Sequence, residues 1–221
     1  MAAPQDRAGR LHSRPSWPSG PPVAPGVHAL DVGGRAEALL AVPPGGPGPR
    51  PLLVFCHGAG GTAQQSLAAV AEPAGARGVL VLATTSVGRT WDLIAGGLGR
   101  DVAVLDEALE RVFATTSVGR VALGGFSDGA SYALSLGLAN GDLVDAVLAF
   151  SPGFAVPPRR EGRPRVWISH GTGDRVLPVE NCGRRLAHEL GGAYDVTYEE
   201  FDGGHVVLPD LVDAALGTWL G

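Results

Sequence analysis

Val121-Ala122-Leu123-Gly124-Gly125-Phe126-Ser127-Asp128-Gly129-Ala130 decides how the rest of the chain is read. An apolar run, 121–124, leads into Gly-x-Ser-x-Gly at 125–129, and a helical pattern continues to Ala139. A serine on a tight strand-to-helix turn, with glycine two residues to either side, is a nucleophile elbow. The turn holds the serine in a strained backbone conformation, and side chains at 125 and 129 would collide, so glycine fits there. Ser127 Oγ is left above a helix N-terminus, whose partial positive charge favours a developing oxyanion. A serine hydroxyl is a weak nucleophile until a base takes its proton. The elbow therefore predicts a histidine, and an acid to hold it, later in the chain.

Both follow in that part of the sequence. His170-Gly171-Thr172-Gly173-Asp174 comes after the apolar run Val166-Trp167-Ile168, which puts Asp174 on a strand-exit loop. Gly203-Gly204-His205 comes after the alternating stretch Val196 to Phe201 and before a helical pattern from Leu208 to Leu220. His205 is thus on another strand-exit loop. Asp202 is the competing carboxylate. The order Ser127, Asp174, His205 is that of the α/β-hydrolases. In open α/β sheets such loops gather along the edge where the strands' carboxyl ends point. An earlier loop agrees: His57-Gly58-Ala59-Gly60-Gly61 follows the run Leu52 to Cys56. Its backbone can turn an N–H toward the serine and, with the N–H of Asp128, form an oxyanion hole. The early-loop donor is assigned to Ala59, with Gly58 the adjacent alternative. His57 is expected to shape this loop rather than to do chemistry, and His170 to fill a strand end. No HxxxH or HExxH spacing supports a metal site built from the three histidines.

These blocks resemble the small α/β-hydrolase esterases of the phospholipase/carboxylesterase group. That group includes acyl-protein thioesterases and relatives of dienelactone hydrolase and polyhydroxyalkanoate depolymerase. The matching stretches are HGAGG at 57–61, TWD at 90–92, GGFSDGASYALSLGLANG at 124–141, AFSPGF at 149–154, ISHGTGDRVLP at 168–178 and FDGGHVV at 201–207. The resemblance covers most of 27–221. It implies Ser127 as nucleophile, His205 as general base and acid, and Asp174 as orienting carboxylate. The chain departs from the pattern at two points. Serine stands where dienelactone hydrolases carry cysteine, and Asp128 stands where the group's thioesterases usually have glutamine.

At 221 residues the chain fits one domain with a sizeable core. It contains no lysine; all 17 basic residues are arginine. Schiff-base chemistry, pyridoxal-phosphate attachment and the phosphate-binding P-loop are thereby excluded. A net charge of −5 argues against a nucleic-acid partner. Cys56 and Cys182 make no disulfide framework and are read as reduced. No apolar run reaches membrane-spanning length, and the N-terminal stretch lacks the hydrophobic core of a signal peptide. The expectation is a cytoplasmic protein without cofactor or metal, a monomer or homodimer.

Residues 1–26, rich in Pro, Gly, Ser and Arg, are expected to be a flexible segment ahead of a catalytic domain at 27–221. Val27–Val32 and Ala36–Val42 read as a hairpin. Leu52–Cys56, Gly78–Ala83, Val121–Leu123, Ala146–Phe150, Arg165–Ser169 and Tyr194–Phe201 read as strands. Helices are expected at Ala63–Gly75, ended early by Pro73, and at Asp101–Ala114, Ala130–Ala139, Val179–Leu190 and Leu208–Leu220. Strands alternating with helices give a mostly parallel sheet of about eight strands covered on both faces, the α/β-hydrolase fold without a large cap domain. Trp91 and Phe154 read either as walls of an acyl pocket beside Gly58 or as core. Arg159, Arg160, Arg163 and Arg165 read as a solvated loop rather than an anion site. Ala-Thr-Thr-Ser-Val-Gly-Arg occurs at both 83–89 and 114–120, with no function attached.

The expected reaction is hydrolysis of a small-molecule ester with a short or medium acyl chain, through an acyl-enzyme. An acyl thioesterase or lysophospholipase would use the same residues. The reading from another class is an inactive binding protein on the same fold.

Overall fold

A computed structural model describes residues 9–34, 36–46 and 48–221. Eight strands form one sheet in the order β1-β2-β4-β3-β5-β6-β7-β8. They are β1 (Gly26–Leu30), β2 (Ala38–Val42), β3 (Arg50–Cys56), β4 (Leu80–Thr84), β5 (Val118–Phe126), β6 (Ala146–Phe150), β7 (Arg165–Gly171) and β8 (Val196–Phe201). β1 pairs antiparallel with β2, and β2 with β4; the remaining pairs are parallel. The sheet and the helices on both faces are those of the α/β-hydrolase fold, and among the described residues there is no large cap domain.

β4 and β6 are buried along their whole length, as are the apolar stretches of β3 and β5. Uninterrupted Val, Leu, Ala and Phe runs suit strands covered on both faces, whereas the alternating Val-Thr-Tyr-Glu-Glu-Phe of β8 suits a sheet edge. The helices are α1 (Ala63–Ala76), α2 (Arg100–Thr115), α3 (Asp128–Leu138), α4 (Arg185–Gly191) and α5 (Pro209–Leu220). α2, α3 and α4 bury one side of the sheet and α1 and α5 the other, which divides the core into two apolar clusters.

Two local expectations shift. α1 does not stop at Pro73 but runs through it to Ala76. Pro73 lacks only its own N–H, so a single helical hydrogen bond is forfeited, while Val70 and Ala74 stay buried against the sheet. The helix expected from Val179 begins instead as a π-helical turn, Glu180–Arg184, and becomes α-helical at Arg185.

Of the stretch 1–26, residues 1–8 lie outside the described residues. From Gly9 the chain rests on α2 and the end of α3. Leu11 is fully buried, and its N–H donates to Asn140 Oδ1 at 2.9 Å. Asn140 Nδ2 donates to the Gly9 carbonyl at 2.7 Å, and Asp106 accepts from the N–H groups of His12 and Ser13 at 2.8 Å each. Arg10 and Arg14 both pair with Asp142.

Candidate active site

The chain lays down β3, turns back to β4, and then places β5 on the other side of β3. The carboxyl ends of β3 and β5 therefore meet at a topological switch point, where open α/β sheets form their clefts. Cys56 lies opposite Gly125 in the register, so the Gly58 loop and the Ser127 turn leave the sheet side by side. Ser127 has φ 56° and ψ −118°. Such a backbone in a non-glycine residue is held by its surroundings. Here the Ser127 N–H donates to the Phe150 carbonyl at 3.0 Å, and its own carbonyl accepts from Ala130 and Ser131. The flanking glycines are required by contact. A Cβ on Gly125 would stand 2.4 Å from the Gly129 backbone, and one on Gly129 would stand 2.2 Å from the Cys56 carbonyl oxygen.

Ser127, His205 and Asp174, drawn from three loops, form one hydrogen-bonded chain. Ser127 Oγ lies 2.8 Å from His205 Nε2, and His205 Nδ1 lies 2.6 Å from Asp174 Oδ2. With the carboxylate as acceptor, the proton of the neutral ring sits on Nδ1, which leaves Nε2 to accept from the serine hydroxyl. The Asp174 side chain is fully buried. Burial pushes its carboxyl up, but the N–H groups of Leu177 and Val176 and the contact with His205 outweigh this and bring it below the ordinary range. Both N–H groups donate to Oδ1 at 2.9 Å, so the carboxylate is held from one side and presents Oδ2 to the imidazole. Asp202, the competing carboxylate, is exposed. Phe126 packs its ring against His205 with centroids 4.6 Å apart.

His170 fills the end of β7, fully buried, and its Nε2–H donates to the Leu177 carbonyl at 2.7 Å. It thus ties the loop whose amides hold Asp174. Gly183 makes room for it, since a Cβ there would approach the His170 ring to 2.8 Å.

The Gly58 loop is organised by His57. Its Nε2 accepts the Ser86 N–H at 2.9 Å, which places the ring proton on Nδ1, and Nδ1–H donates to the Gly58 carbonyl at 2.7 Å. Burial holds this imidazole below its ordinary pKa, and hydrogen bonding to Gly58 opposes the shift. The Gly58 carbonyl also accepts from Gly61 N at 3.0 Å. In a trans peptide the N–H points opposite to the carbonyl. The Ala59 N–H is therefore turned away from His57. Among the described residues neither it nor the Asp128 N–H donates to a protein acceptor. Asp128 opens α3, where the first N–H groups have no intrahelical partner.

Trp91 takes the core place of the two read for it. It is 1 % exposed, stacks on Tyr132 at 4.6 Å, packs at a tilt against His57 at 4.8 Å, and donates Nε1–H to the His57 carbonyl at 2.8 Å. Gly58 borders a cavity of about 420 Å³ beside the elbow, together with Ala59, Phe126, Ser66 and Val207. Phe154 is half-buried outside that wall, with its N–H directed at Ser131 Oγ, 3.3 Å away.

Several supporting contacts are not announced by the sequence. Thr90 Oγ1 donates to Asp128 Oδ2 at 2.8 Å, and Gly60 N donates to the Arg89 carbonyl at 2.8 Å, so the loop after β4 braces both the elbow and the Gly58 loop. Buried Asp101 accepts from the N–H groups of Val87 and Asp92, fixing that loop from below. In sequence Asp101 reads as an ordinary acid in the first turn of a helix, and the Ser86 N–H is a backbone group that no side-chain pattern announces. Among the described residues, no three His, Cys, Asp or Glu side chains gather as a metal site, and no helix is long and apolar enough to cross a membrane.

No family model and no curated protein matches the sequence. Solved structures do. Esterase PE8 is 25 % identical with a TM-score of 0.62, over 77 % of this chain and 91 % of its own. A thermostable esterase is 20 % identical with a TM-score of 0.73, over 88 % of this chain and 62 % of its own. The S-formylglutathione hydrolase of Staphylococcus aureus is 11 % identical with a TM-score of 0.69, over 89 % of this chain and 100 % of its own. Sheet order, elbow and neighbours agree that the chain is a small hydrolase of the α/β-hydrolase type, akin to esterases.

Proposed function

We propose that the protein is a serine esterase that cleaves carboxylic esters with short to medium acyl chains. Ser127 is the nucleophile, His205 the general base and acid, and Asp174 the carboxylate that orients the imidazole. His205 Nε2 takes the hydroxyl proton as Ser127 Oγ attacks the ester carbonyl. The tetrahedral oxyanion is met by the N–H groups of Ala59 and Asp128. Collapse breaks the bond to the alcohol oxygen, which leaves with the proton from Nε2. Water, deprotonated by the same nitrogen, then attacks the acyl-enzyme, and Ser127 recovers its proton as the acid departs. Side chains and backbone amides of this chain suffice for each step.

The observation that carries this reading is the continuous hydrogen-bonded path from Ser127 Oγ through His205 to Asp174, at 2.8 and 2.6 Å. The esterase neighbours add to it. Short to medium chains fit a fold with no large cap domain among the described residues, in which the 151–164 loop contains no helix.

The test combines labelling by a fluorophosphonate with hydrolysis of p-nitrophenyl esters of increasing acyl length. Labelling confined to Ser127, and turnover abolished in Ser127→Ala, is the expected result. A protein that neither labels nor hydrolyses any ester of the series would be a binding protein on this fold. A matching thioester series reports the leaving-group preference.

A further inference from the structure

The cavity beside the Gly58 loop is lined without a single charged side chain. His57 in its wall is engaged at both ring nitrogens, and Gln65 accepts the Thr62 N–H through Oε1 as part of the cap of α1. Ser66 is different. It is 2 % exposed, it borders the cavity, and its hydroxyl has no partner among the described residues.

A helical serine ordinarily satisfies its hydroxyl by bonding back to the carbonyl one turn earlier. This chain does so elsewhere. Ser135 donates to the Ser131 carbonyl at 2.8 Å, Ser131 to that of Ser127 at 3.3 Å, and Thr218 to that of Ala214 at 3.0 Å. Ser66 has the Thr62 carbonyl in the same relation, already used by its own N–H, yet its hydroxyl makes no such bond. A buried hydroxyl left unsatisfied costs stability. Alanine at this position would avoid that cost and favour the helix. Ser66 Oγ is itself covered, and the side chain turns about one bond, so a change of χ1 rotamer, about 120°, redirects the oxygen around the Cβ.

We propose that Ser66 is a specificity-determining residue, whose hydroxyl hydrogen-bonds a neutral oxygen on the ester arm that enters this cavity. The substrate class is then an uncharged ester, with one arm apolar enough to lie against Phe126 and Val207 and carrying an ether, carbonyl or hydroxyl oxygen within a few atoms of the scissile bond. A charged arm is disfavoured, because no wall residue offers a counter-ion. This inference rests on the esterase reading above.

The test uses isosteric substrate pairs in which one methylene is replaced by oxygen. On the acyl side these are p-nitrophenyl pentanoate against 3-methoxypropanoate and ethoxyacetate. On the alcohol side they are butyl against 2-methoxyethyl acetate. For each pair the ratio of kcat/KM, oxygen over methylene, is measured for the wild type and for Ser66→Ala. Dividing one ratio by the other cancels the intrinsic reactivity of the ester. At least one arm is expected to show a ratio about fivefold higher in the wild type than in the variant, with the all-carbon substrate changed less than twofold. Ratios equal on both arms, in a protein whose turnover still depends on Ser127, overturn the proposal and leave the esterase reading standing. An equal loss on every substrate marks Ser66 as structural and also overturns it. Turnover that survives Ser127→Ala, or none at all, removes both.

Discussion

His57 and Ala59 are linked through a single peptide plane. The imidazole holds the Gly58 carbonyl at 2.7 Å, and the amide on the other side of that plane is the Ala59 N–H. The ring is itself fixed by the Ser86 N–H at 2.9 Å and backed by the Trp91 indole at 4.8 Å. A donor aimed at a developing charge helps most when its orientation is set before the reaction. In the proposed mechanism His57 therefore orients an oxyanion donor through the Gly58–Ala59 peptide.

Replacement of His57 by glutamine is expected to lower kcat by about 10- to 100-fold with KM changed less than threefold, because the loss falls on the transition state. Steady-state kinetics on a p-nitrophenyl ester measures it. A rise in KM at constant kcat would assign the loop to ground-state binding instead. The neutral ring has a pH signature too. Its folded pKa is lowered, so the unfolded chain binds more protons between that value and the ordinary histidine value of about 6.5. Its stabilising contribution is complete above that window and declines as pH falls through it, a slope that His57→Gln flattens.

The backbone at Ser127, with φ 56°, is strained for any residue bearing a Cβ. Ser127→Gly is expected to raise unfolding free energy by about 1 kcal/mol while abolishing ester turnover. Urea denaturation of both proteins decides it. Unchanged or reduced stability would mean that the turn is relaxed with serine in place.

Asp174→Asn keeps the shape of the side chain but can place an amide N–H toward His205 Nδ1, favouring the wrong ring tautomer. A fall in kcat of about 10³- to 10⁴-fold follows by analogy with serine hydrolases of other folds. The carboxyl of Asp174 is depressed in the folded protein, so its contribution to stability is full above the ordinary carboxylate value of about 3.9 and is lost as pH falls through the lower folded value. Thermal unfolding of the variant should therefore vary less with pH below about 4 than that of the wild type. Parallel pH profiles would falsify this assignment of the charge.

Asp142 anchors the N-terminal stretch. Arg10 first and Arg14 second draw its carboxyl down to about 2 against the opposing effect of burial. The sign is that of a depressed acid: stabilisation is present above about pH 4 and is lost as the pH approaches 2. Part of the gain is screened, because the ion pairs are about one-third exposed. Asp142→Ala is expected to destabilise the protein by about 1 kcal/mol at neutral pH and low salt, less at high salt, and to speed tryptic cleavage after Arg10, which precedes Leu11. Cleavage at the wild-type rate would show that Leu11 and Asn140 hold the segment unaided.

Much of this was legible in residue order. Gly125 and Gly129 bracket Ser127 because a Cβ at either site would strike backbone, and a constraint that local leaves its mark on the sequence. Long apolar runs announced the central strands, since strands buried on both faces admit little else. Glycine-rich exits from β3, β7 and β8 located the loops that carry Ala59, Asp174 and His205.

Contacts across the sheet left no such mark. Ala-Thr-Thr-Ser-Val-Gly-Arg ends β4 and enters the site loop at 83–89, where Ser86 N–H meets His57. At 114–120 the same seven residues end α2 and begin β5. Identical local preferences gave two structures because the partners differ. Thr85 N–H finds the Glu37 carbonyl beside β2, while Thr116 N–H closes the last turn of α2 on Val112. Leu11 was one apolar residue in a polar window, and Trp91 read equally well as pocket wall or core. Their burial depended on surfaces supplied by distant segments, and hydrophobic burial depends on what covers a residue rather than on its neighbours in the chain.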